Sequence, residues 1–181
     1  MQERHLQLVR PSAEPSEPRP PSTFDDIFRQ YAPYVAAIAL RLLGRVDEVE
    51  DVVQDVFLQA HRGLGGLRDP AALKGWLATV TVRTAHRRLR SRRLRFLLRL
   101  VPAYDYEILA QPDLSAEESA RVAEIYALLD KLPAKERLAW TLRYVEGEQL
   151  TRVAELTGVS LAAVKRHISA ANKRLGELAH E

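Results

Sequence analysis

The side chains best suited to recognising another molecule lie near the end of the chain. Helical spacing places four of them on one side of a single helix: Lys165, Arg166, Ser169 and Lys173. The small residue Ala162 shares this side, and a face of small and cationic side chains suits the major groove of DNA. An ordinary amphipathic helix with a solvated charged face is the alternative, since short motifs also arise by chance.

A helix-turn-helix over residues 149–175 would position this face. Val153, Ala154 and Leu156 give a short first helix its apolar side. Gly158 supplies a residue that tolerates positive φ in the tight turn, and Ser160 is a favourable N-cap for the second helix. Four apolar residues of the second helix are predicted to face inward: Leu161, Val164, Ile168 and Leu175.

Basic side chains are concentrated in the middle of the chain. Residues 63–99 hold ten basic side chains and one acidic side chain, although the whole chain has a formal charge of +3. Seven arginines would ring a helix that begins near Pro70: Arg83, Arg87, Arg88, Arg90, Arg92, Arg93 and Arg95. A merely solvated surface usually mixes charges of both signs. The block therefore indicates a polyanionic partner whose phosphates these side chains contact.

A second distinctive surface is predicted on a helix that covers roughly residues 49–62. Val52, Val56 and Phe57 belong to its continuous apolar stripe, which should face a core. The opposite side carries Asp51, Gln54, Asp55 and Leu58. Spacing alone leaves two interpretations open, a protein-binding surface and simple scatter, because single exposed leucines are common.

The periodicity predicts an all-α fold with two small helical domains joined by a flexible linker. Residues 1–23, rich in Pro, Ser and charged residues, are predicted to be a disordered tail. Residues 24–99 form the first domain. Residues 100–114 contain two prolines and lose the helical periodicity, which is typical of a linker. Residues 115–181 form the second domain, which ends in the helix-turn-helix.

The composition argues against several classes of function. The absence of cysteine removes disulfides, thiol catalysis and thiolate metal sites, and it fits a reducing cytosol. The five histidines, at positions 5, 61, 86, 167 and 180, lack the spacing of metal ligands. We find no nucleophile–base pair and no phosphate-binding glycine loop, so we expect neither a cofactor nor enzymatic activity. The lack of an 18-residue apolar run or a signal peptide predicts a cytoplasmic protein.

Three segments in this order resemble a bacterial RNA polymerase sigma factor of the extracytoplasmic-function (ECF) group. DEVEDVVQDVFLQAHR, residues 47–62, resembles the helix by which such factors bind the clamp helices of RNA polymerase. ALKGWLATVTVRTAHRRLRSRR, residues 72–93, resembles the segment that reads and melts the minus-ten element. Residues 132–175 resemble the domain that reads the minus-thirty-five element. The likeness covers about residues 24–92 and 115–178.

The resemblance implies roles for particular residues. The face of Asp51, Gln54, Asp55 and Leu58 would contact core RNA polymerase. A pocket for a flipped, unstacked base would be lined by Leu67, Asp69 and Arg83. The backbone of promoter DNA would be held by Arg87, Arg88 and Arg90. The family often carries Asn at the position of Arg83. An anti-sigma factor is a further implied partner, and the polymerase would supply the catalysis.

Two other functions remain open from the residues themselves. One is a helix-turn-helix regulator that binds duplex DNA without RNA polymerase. The other is a helical interaction protein such as an adaptor. The polar face around Asp55 favours the sigma factor over the regulator, which would have no use for it. The basic block over residues 63–99 argues against the adaptor.

Overall fold

The computed structural model describes residues 23–63, 70–98 and 115–178. Within those ranges the chain forms seven α-helices and one 3₁₀ turn, with no strand, which confirms the predicted all-α fold. The elements are α1 (Phe24–Leu43), α2 (Val49–Gly63), the 3₁₀ turn (Pro70–Ala72), α3 (Leu73–Leu97), α4 (Ala116–Asp130), α5 (Ala134–Tyr144), α6 (Leu150–Thr157) and α7 (Leu161–Leu178). The predicted tail, except Thr23, and the predicted linker lie outside the described residues.

Local sequence determines where several helices begin and end. At the start of α1 the hydroxyl oxygen of Thr23 accepts from the Asp26 N–H at 3.2 Å, and the Asp26 carboxylate accepts from the Thr23 N–H at 3.1 Å. Ser115 and Glu118 make the same reciprocal pair at the start of α4. Helix α1 ends at Gly44, whose φ of 69° lies in the left-handed region that favours glycine.

Helices α1, α2 and α3 pack against one another in the first half of the chain. The apolar stripe of α2 faces this packing as predicted, because Val52, Val56 and Phe57 are all buried. Leu42 of α1 and Leu77 of α3 are fully buried beside them. The opposite side of α2 is therefore left for solvent or for a partner.

The two halves of the chain are in direct contact and share a core. Helix α5 packs against α1 and α3, and α6 packs against α3. Leu138, Leu142 and Val153 of the second half belong to the same cluster of buried apolar residues as Leu42 and Leu77. A second, smaller cluster lies between α4, α5 and α7 and contains Tyr126, Leu129, Leu132 and Ala171. The apolar stripes of the two halves thus cover each other as well as their own domains.

Candidate nucleic-acid and protein interfaces

The helix-turn-helix predicted near the end of the chain is present. Gly158 ends α6 with a φ of 70°, which a residue with a β-carbon would adopt only with strain. The N–H groups of Gly158 and Val159 both donate to the Ala154 carbonyl oxygen, at 2.9 and 3.2 Å. The hydroxyl oxygen of Ser160 accepts from the Ala163 N–H at 3.2 Å, so Ser160 caps α7 as predicted.

Helix α7 presents an apolar side to the core and a polar side to solvent. Val164 and Ile168 are buried, as predicted, whereas the prediction that Leu161 faces inward is wrong. Leu161 is the first residue of α7 and is 38% exposed, because fewer neighbouring turns cover a side chain at a helix end. The predicted reading residues are all exposed: Lys165, Arg166, Ser169 and Lys173.

Helix α5 contributes two side chains beside α7. Arg143 and Tyr144 line a shallow groove of about 310 Å³ together with Lys165 and Ser169. The Tyr144 hydroxyl, on a side chain that is 53% exposed, accepts from the amide of Asn172 at 3.4 Å. An arginine and a hydroxyl at this position can add contacts to DNA phosphates. Sequence periodicity could not identify these two residues, since they meet α7 only through the packing of α5.

Three of the four α3 arginines expected to contact DNA are exposed. Arg83, Arg87 and Arg90 follow one another at helical spacing and line a cleft of about 920 Å³. The other wall is formed by the start of α5, including the exposed Lys135, and by His167 of α7. The cleft therefore collects cations from both halves of the chain, which favours a polyanion.

His86 also lines this cleft but adds no charge to it. Burial lowers the pKa of His86, and the nearby positive charges of Arg90 and Lys135 lower it further. Its Nε2 atom is buried and has no hydrogen-bond partner among the described residues. His86 is therefore neutral at pH 7, and the arginines and Lys135 outnumber Glu136, the one acidic side chain among the described residues that line the cleft.

The prediction that arginines ring α3 in contact with solvent is wrong at Arg92. This side chain is 4% exposed. Its guanidinium donates to the carbonyl oxygen of Leu43, at the end of α1, at 3.2 Å and to the Asp130 carboxylate at 3.1 Å. Arg92 is buried because the end of a helix and a carboxylate from α4 satisfy its donors.

The outward polar face of α2 is present, and Arg88 of α3 contacts it. Leu58 is 57% exposed, and Asp51 and Gln54 are exposed as well. The guanidinium of Arg88 donates to Asp51 and to Asp55, both at 2.9 Å. The hydrogen bond to Asp55 raises the pKa of Arg88, although partial burial opposes it. Such a half-exposed bridge adds little stability, but it orients both carboxylates on the α2 surface.

Two residues of the implied base pocket, Leu67 and Asp69, lie outside the described residues, so their placement stays a prediction. Within the described ranges no group of three or more His, Asp and Glu residues could hold a metal ion. No helix in the same part of the chain is both long enough and apolar enough to cross a membrane.

Two family models match the chain. The model for Sigma-70 region 2 matches residues 27–95, and the model for Sigma-70, region 4 matches residues 123–175. The ECF RNA polymerase sigma factor SigM of Mycobacterium tuberculosis is 31% identical over 86% of this chain and 76% of its own length. The probable RNA polymerase sigma factor RfaY of Xanthomonas campestris is 37% identical over 76% of this chain, which spans 35% of that protein.

Two solved structures have a similar fold. The sigma factor RpoE of Bartonella quintana, in complex with the anti-sigma factor NepR, superposes with a TM-score of 0.63 at 25% identity. That match covers 87% of this chain and 96% of the solved chain. CnrH, in complex with the cytosolic domain of CnrY, has a TM-score of 0.55 at 25% identity and covers 87% of each chain.

Proposed function

The chain belongs to the ECF group of bacterial RNA polymerase sigma factors, which bind the core enzyme and direct promoter recognition, and we propose which of its surfaces does each. The observation that best supports this proposal is the presence of three separate surfaces. Two are exposed and cationic, on α3 and α7, and the third is an acidic face on α2 that has an exposed leucine. The first two suit DNA, and the third suits a protein partner. A regulator that acts without polymerase would need only the cationic surfaces.

The polymerase-binding surface is the outward face of α2, formed by Asp51, Gln54, Asp55 and Leu58. Leu58 provides apolar area that a partner can bury, and the carboxylates around it select a basic counterpart. Arg88 is proposed to act on this face by orienting Asp51 and Asp55. Its expected contact with the DNA backbone then requires that the bridge to α2 be released.

The minus-ten element is bound by the exposed arginines of α3. Arg87 and Arg90 are proposed to contact phosphates, and Arg83, Leu67 and Asp69 are proposed to accept a flipped base. Arg83 and Arg90 make no ion pair among the described residues, in contrast to Arg88 and Arg92. Cations without a protein partner are available to neutralise phosphates and release counterions.

The minus-thirty-five element is read by α7. Arg166 is proposed to contact a base edge, because its planar guanidinium suits a bidentate bond to guanine. Lys165, Ser169 and Lys173 contact the adjacent groove wall and phosphates, and Arg143 extends this surface from α5. The two reading domains are joined through residues 100–114, which are proposed to act as the linker.

The remaining partners and the location follow from this role. The chain works with core RNA polymerase and promoter DNA in the cytoplasm, and the polymerase carries out the chemistry of RNA synthesis. An anti-sigma factor is a proposed further partner, because the similar RpoE was solved with the anti-sigma factor NepR.

Two matched glutamine variants test the polymerase surface. Gln54→Arg places a bulky cation in the α2 face, whereas Gln30→Arg makes the same change at an exposed position of α1. We expect Gln54→Arg to lose co-migration with core RNA polymerase on a sizing column and to lose promoter-dependent transcription. Gln30→Arg should keep both. If the two variants bind core RNA polymerase equally well and both have normal circular dichroism spectra, the outward face of α2 is not part of the polymerase-binding surface.

A further inference from the structure

Three side chains form a row of hydrogen bonds across the contact between α5 and α7. The indole Nε1 of Trp140 donates to the Oδ1 atom of Asn172 at 3.0 Å, and the Nδ2 atom of Asn172 donates to the Tyr144 hydroxyl oxygen at 3.4 Å. Trp140 and Tyr144 both belong to α5, and their ring centroids are 5.1 Å apart. The row ends at Tyr144, which is 53% exposed and lines the groove shared with Lys165 and Ser169.

The chemistry of the three groups fixes the direction of each hydrogen bond in this row. An indole N–H can only donate, so it orients the Asn172 amide with its oxygen toward Trp140. The NH₂ group of the same amide can also only donate, and it is then directed toward the Tyr144 hydroxyl. The hydroxyl oxygen accepts this bond, while its own proton has no acceptor in the described part of the chain. Tyr144 therefore lines the groove as a hydrogen-bond donor.

Packing holds both ends of the Trp140–Asn172 hydrogen bond in place. The half-buried Trp140 ring packs against the smaller apolar cluster, which includes Leu129 and Ala171. Ala171 precedes Asn172 in α7 and is fully buried, so the backbone that carries the amide is fixed in the same cluster. A donor whose supporting groups are already ordered loses less conformational entropy when it binds a ligand.

The position of Tyr144 beside α7 favours a phosphate as the acceptor over a base. Asn172, its neighbour, lies about 9 Å further along the helix than Arg166, at a rise of about 1.5 Å per residue. The N-terminal residues of such a helix contact base edges, so its later turns face the wall of the groove. A phosphate oxygen only accepts hydrogen bonds and carries charge, which suits a hydroxyl that is held as a donor.

Starting from the proposed function, in which α7 reads the minus-thirty-five element, we propose that Tyr144 donates a hydrogen bond to a phosphate of that element and that Asn172 and Trp140 are positioning residues for its hydroxyl. The O–H bond of a phenol lies near the plane of its ring and can point to either side. The Asn172 amide occupies one side, so the proton takes the other. The phosphate then meets a donor that is already oriented.

Tyr144→Phe removes the hydroxyl and keeps the ring. Holoenzyme assembled from the full-length variant and core RNA polymerase should bind labelled promoter DNA about tenfold more weakly in fluorescence polarisation, the factor that corresponds to one hydrogen bond to a charged group. Tyr31→Phe is the matched control, because it removes a hydroxyl from a half-buried tyrosine of α1, and it should keep the wild-type affinity. Wild-type promoter affinity in Tyr144→Phe would overturn the proposal.

The salt dependence of binding separates a lost hydrogen bond from a displaced α7. A phenol hydroxyl brings no positive charge to DNA and releases no counterion, so Tyr144→Phe should keep the wild-type slope of log K against log salt concentration. Lys173→Ala should lower the magnitude of that slope by about one, because one phosphate is no longer neutralised. A similar decrease in Tyr144→Phe would contradict the proposal, since the loss of affinity would then come from cations that have moved.

Neutral methylphosphonates, placed one at a time along the minus-thirty-five element, identify the phosphate. Each substitution replaces one charged oxygen by a methyl group and should weaken the wild-type and Tyr144→Phe holoenzymes equally at all positions except one. At that position the variant should lose about tenfold less than the wild type, because its hydrogen bond is already absent. Equal losses at every position would refute the contact between Tyr144 and a phosphate.

A double-mutant cycle tests the two positioning residues. Asn172→Ala should weaken promoter binding about twofold, because the hydroxyl proton then divides between two orientations, and it should have no further effect in Tyr144→Phe. Trp140→Phe lets the amide turn over, and its oxygen can then accept the proton that the phosphate needs, so the loss should be at least as large. Losses that add to that of Tyr144→Phe, in variants with normal circular dichroism spectra and thermal melting, would overturn the positioning role.

Two further variants keep the failure of this contact distinct from the failure of the proposed function. Arg166→Ala and Lys173→Ala are measured on the same promoter DNA. If both of these variants and Tyr144→Phe keep the wild-type affinity, α7 does not bind the promoter and the proposed function fails as well. If both lose affinity while Tyr144→Phe keeps it, only the phosphate contact of Tyr144 is refuted.

Discussion

Replacing Leu58 by alanine is expected to weaken binding to core RNA polymerase by about 5- to 30-fold. In the free chain this side chain is 57% exposed on the outward face of α2. Burying a whole leucine side chain stabilises a complex by about 1.5–3 kcal/mol, so covering the exposed part contributes about 1–2 kcal/mol. Since about 1.4 kcal/mol changes a dissociation constant tenfold, this free energy corresponds to the stated loss.

The assay is a titration of labelled chain with core RNA polymerase, followed by fluorescence polarisation. Leu94→Ala is the matched control, because Leu94 is 58% exposed on α3 and lies outside the α2 face. Truncating either exposed leucine should change the free energy of unfolding by less than about 0.5 kcal/mol, so folding stays intact. A Leu58→Ala chain with the wild-type Kd, or an equal loss for both variants, would refute the docking of α2.

Three other predictions test the reading helix, a buried carboxyl group and the end of α1. Arg166→Ala should weaken binding by about 1–3 kcal/mol at one base pair of the minus-thirty-five element, whereas Lys173→Ala should weaken binding to all promoters alike. Transcription from a promoter library separates these two outcomes. If Arg166→Ala keeps the wild-type preference at every position, Arg166 does not contact a base edge. Burial raises the pKa of Asp130 from 3.8 to about 6, so its contribution to stability is present below about pH 4 and is lost as pH rises through about 6. Asp130→Asn should remove this loss of stability, which is at most about 3 kcal/mol. Urea unfolding of both chains at several pH values measures the loss. If the free energy of unfolding changes with pH in the same way for both chains, Asp130 is not its source. Gly44→Ala should lower the free energy of unfolding by more than Gly147→Ala does. Both glycines have a positive φ, but of the two only Gly44 faces the ring of Tyr126. Equal losses of stability in the two variants would argue against the contact between Gly44 and Tyr126.

The role of Arg88 shows how one residue can serve two surfaces. The resemblance implied that Arg88 contacts the DNA backbone, whereas its guanidinium donates to Asp51 and Asp55. The proposed polymerase-binding face of α2 and the proposed DNA-binding face of α3 are therefore linked through the guanidinium of Arg88. A partner that binds the Asp51 and Asp55 carboxylates would release Arg88, which could then contact a phosphate.

The sequence by itself was sufficient to predict the helices and to predict which residues of several helices are buried. The stripe containing Val52 and Val56 is a local property of helical spacing, and it is buried as predicted. The turn at Gly158 and the cap at Ser160 depend on residues that are close in the chain. Such features can be predicted, because the interactions that cause them span only a few residues.

Only the tertiary structure decided which charged side chains are available to a partner. Arg92 and Arg90 are both cations of the same basic block, yet Arg92 is buried against Leu43 and Asp130 while Arg90 is exposed. Arg137 carries no local sign of its burial, because its acceptors lie 94 and 95 residues away at the end of α1. Whether an arginine is buried depends on acceptors that folding brings to it, since an unpaired buried charge is strongly unfavourable. Spacing along one helix predicts the direction in which a side chain points. The acceptor or carboxylate that it meets there comes from another part of the chain, so only the tertiary structure identifies it.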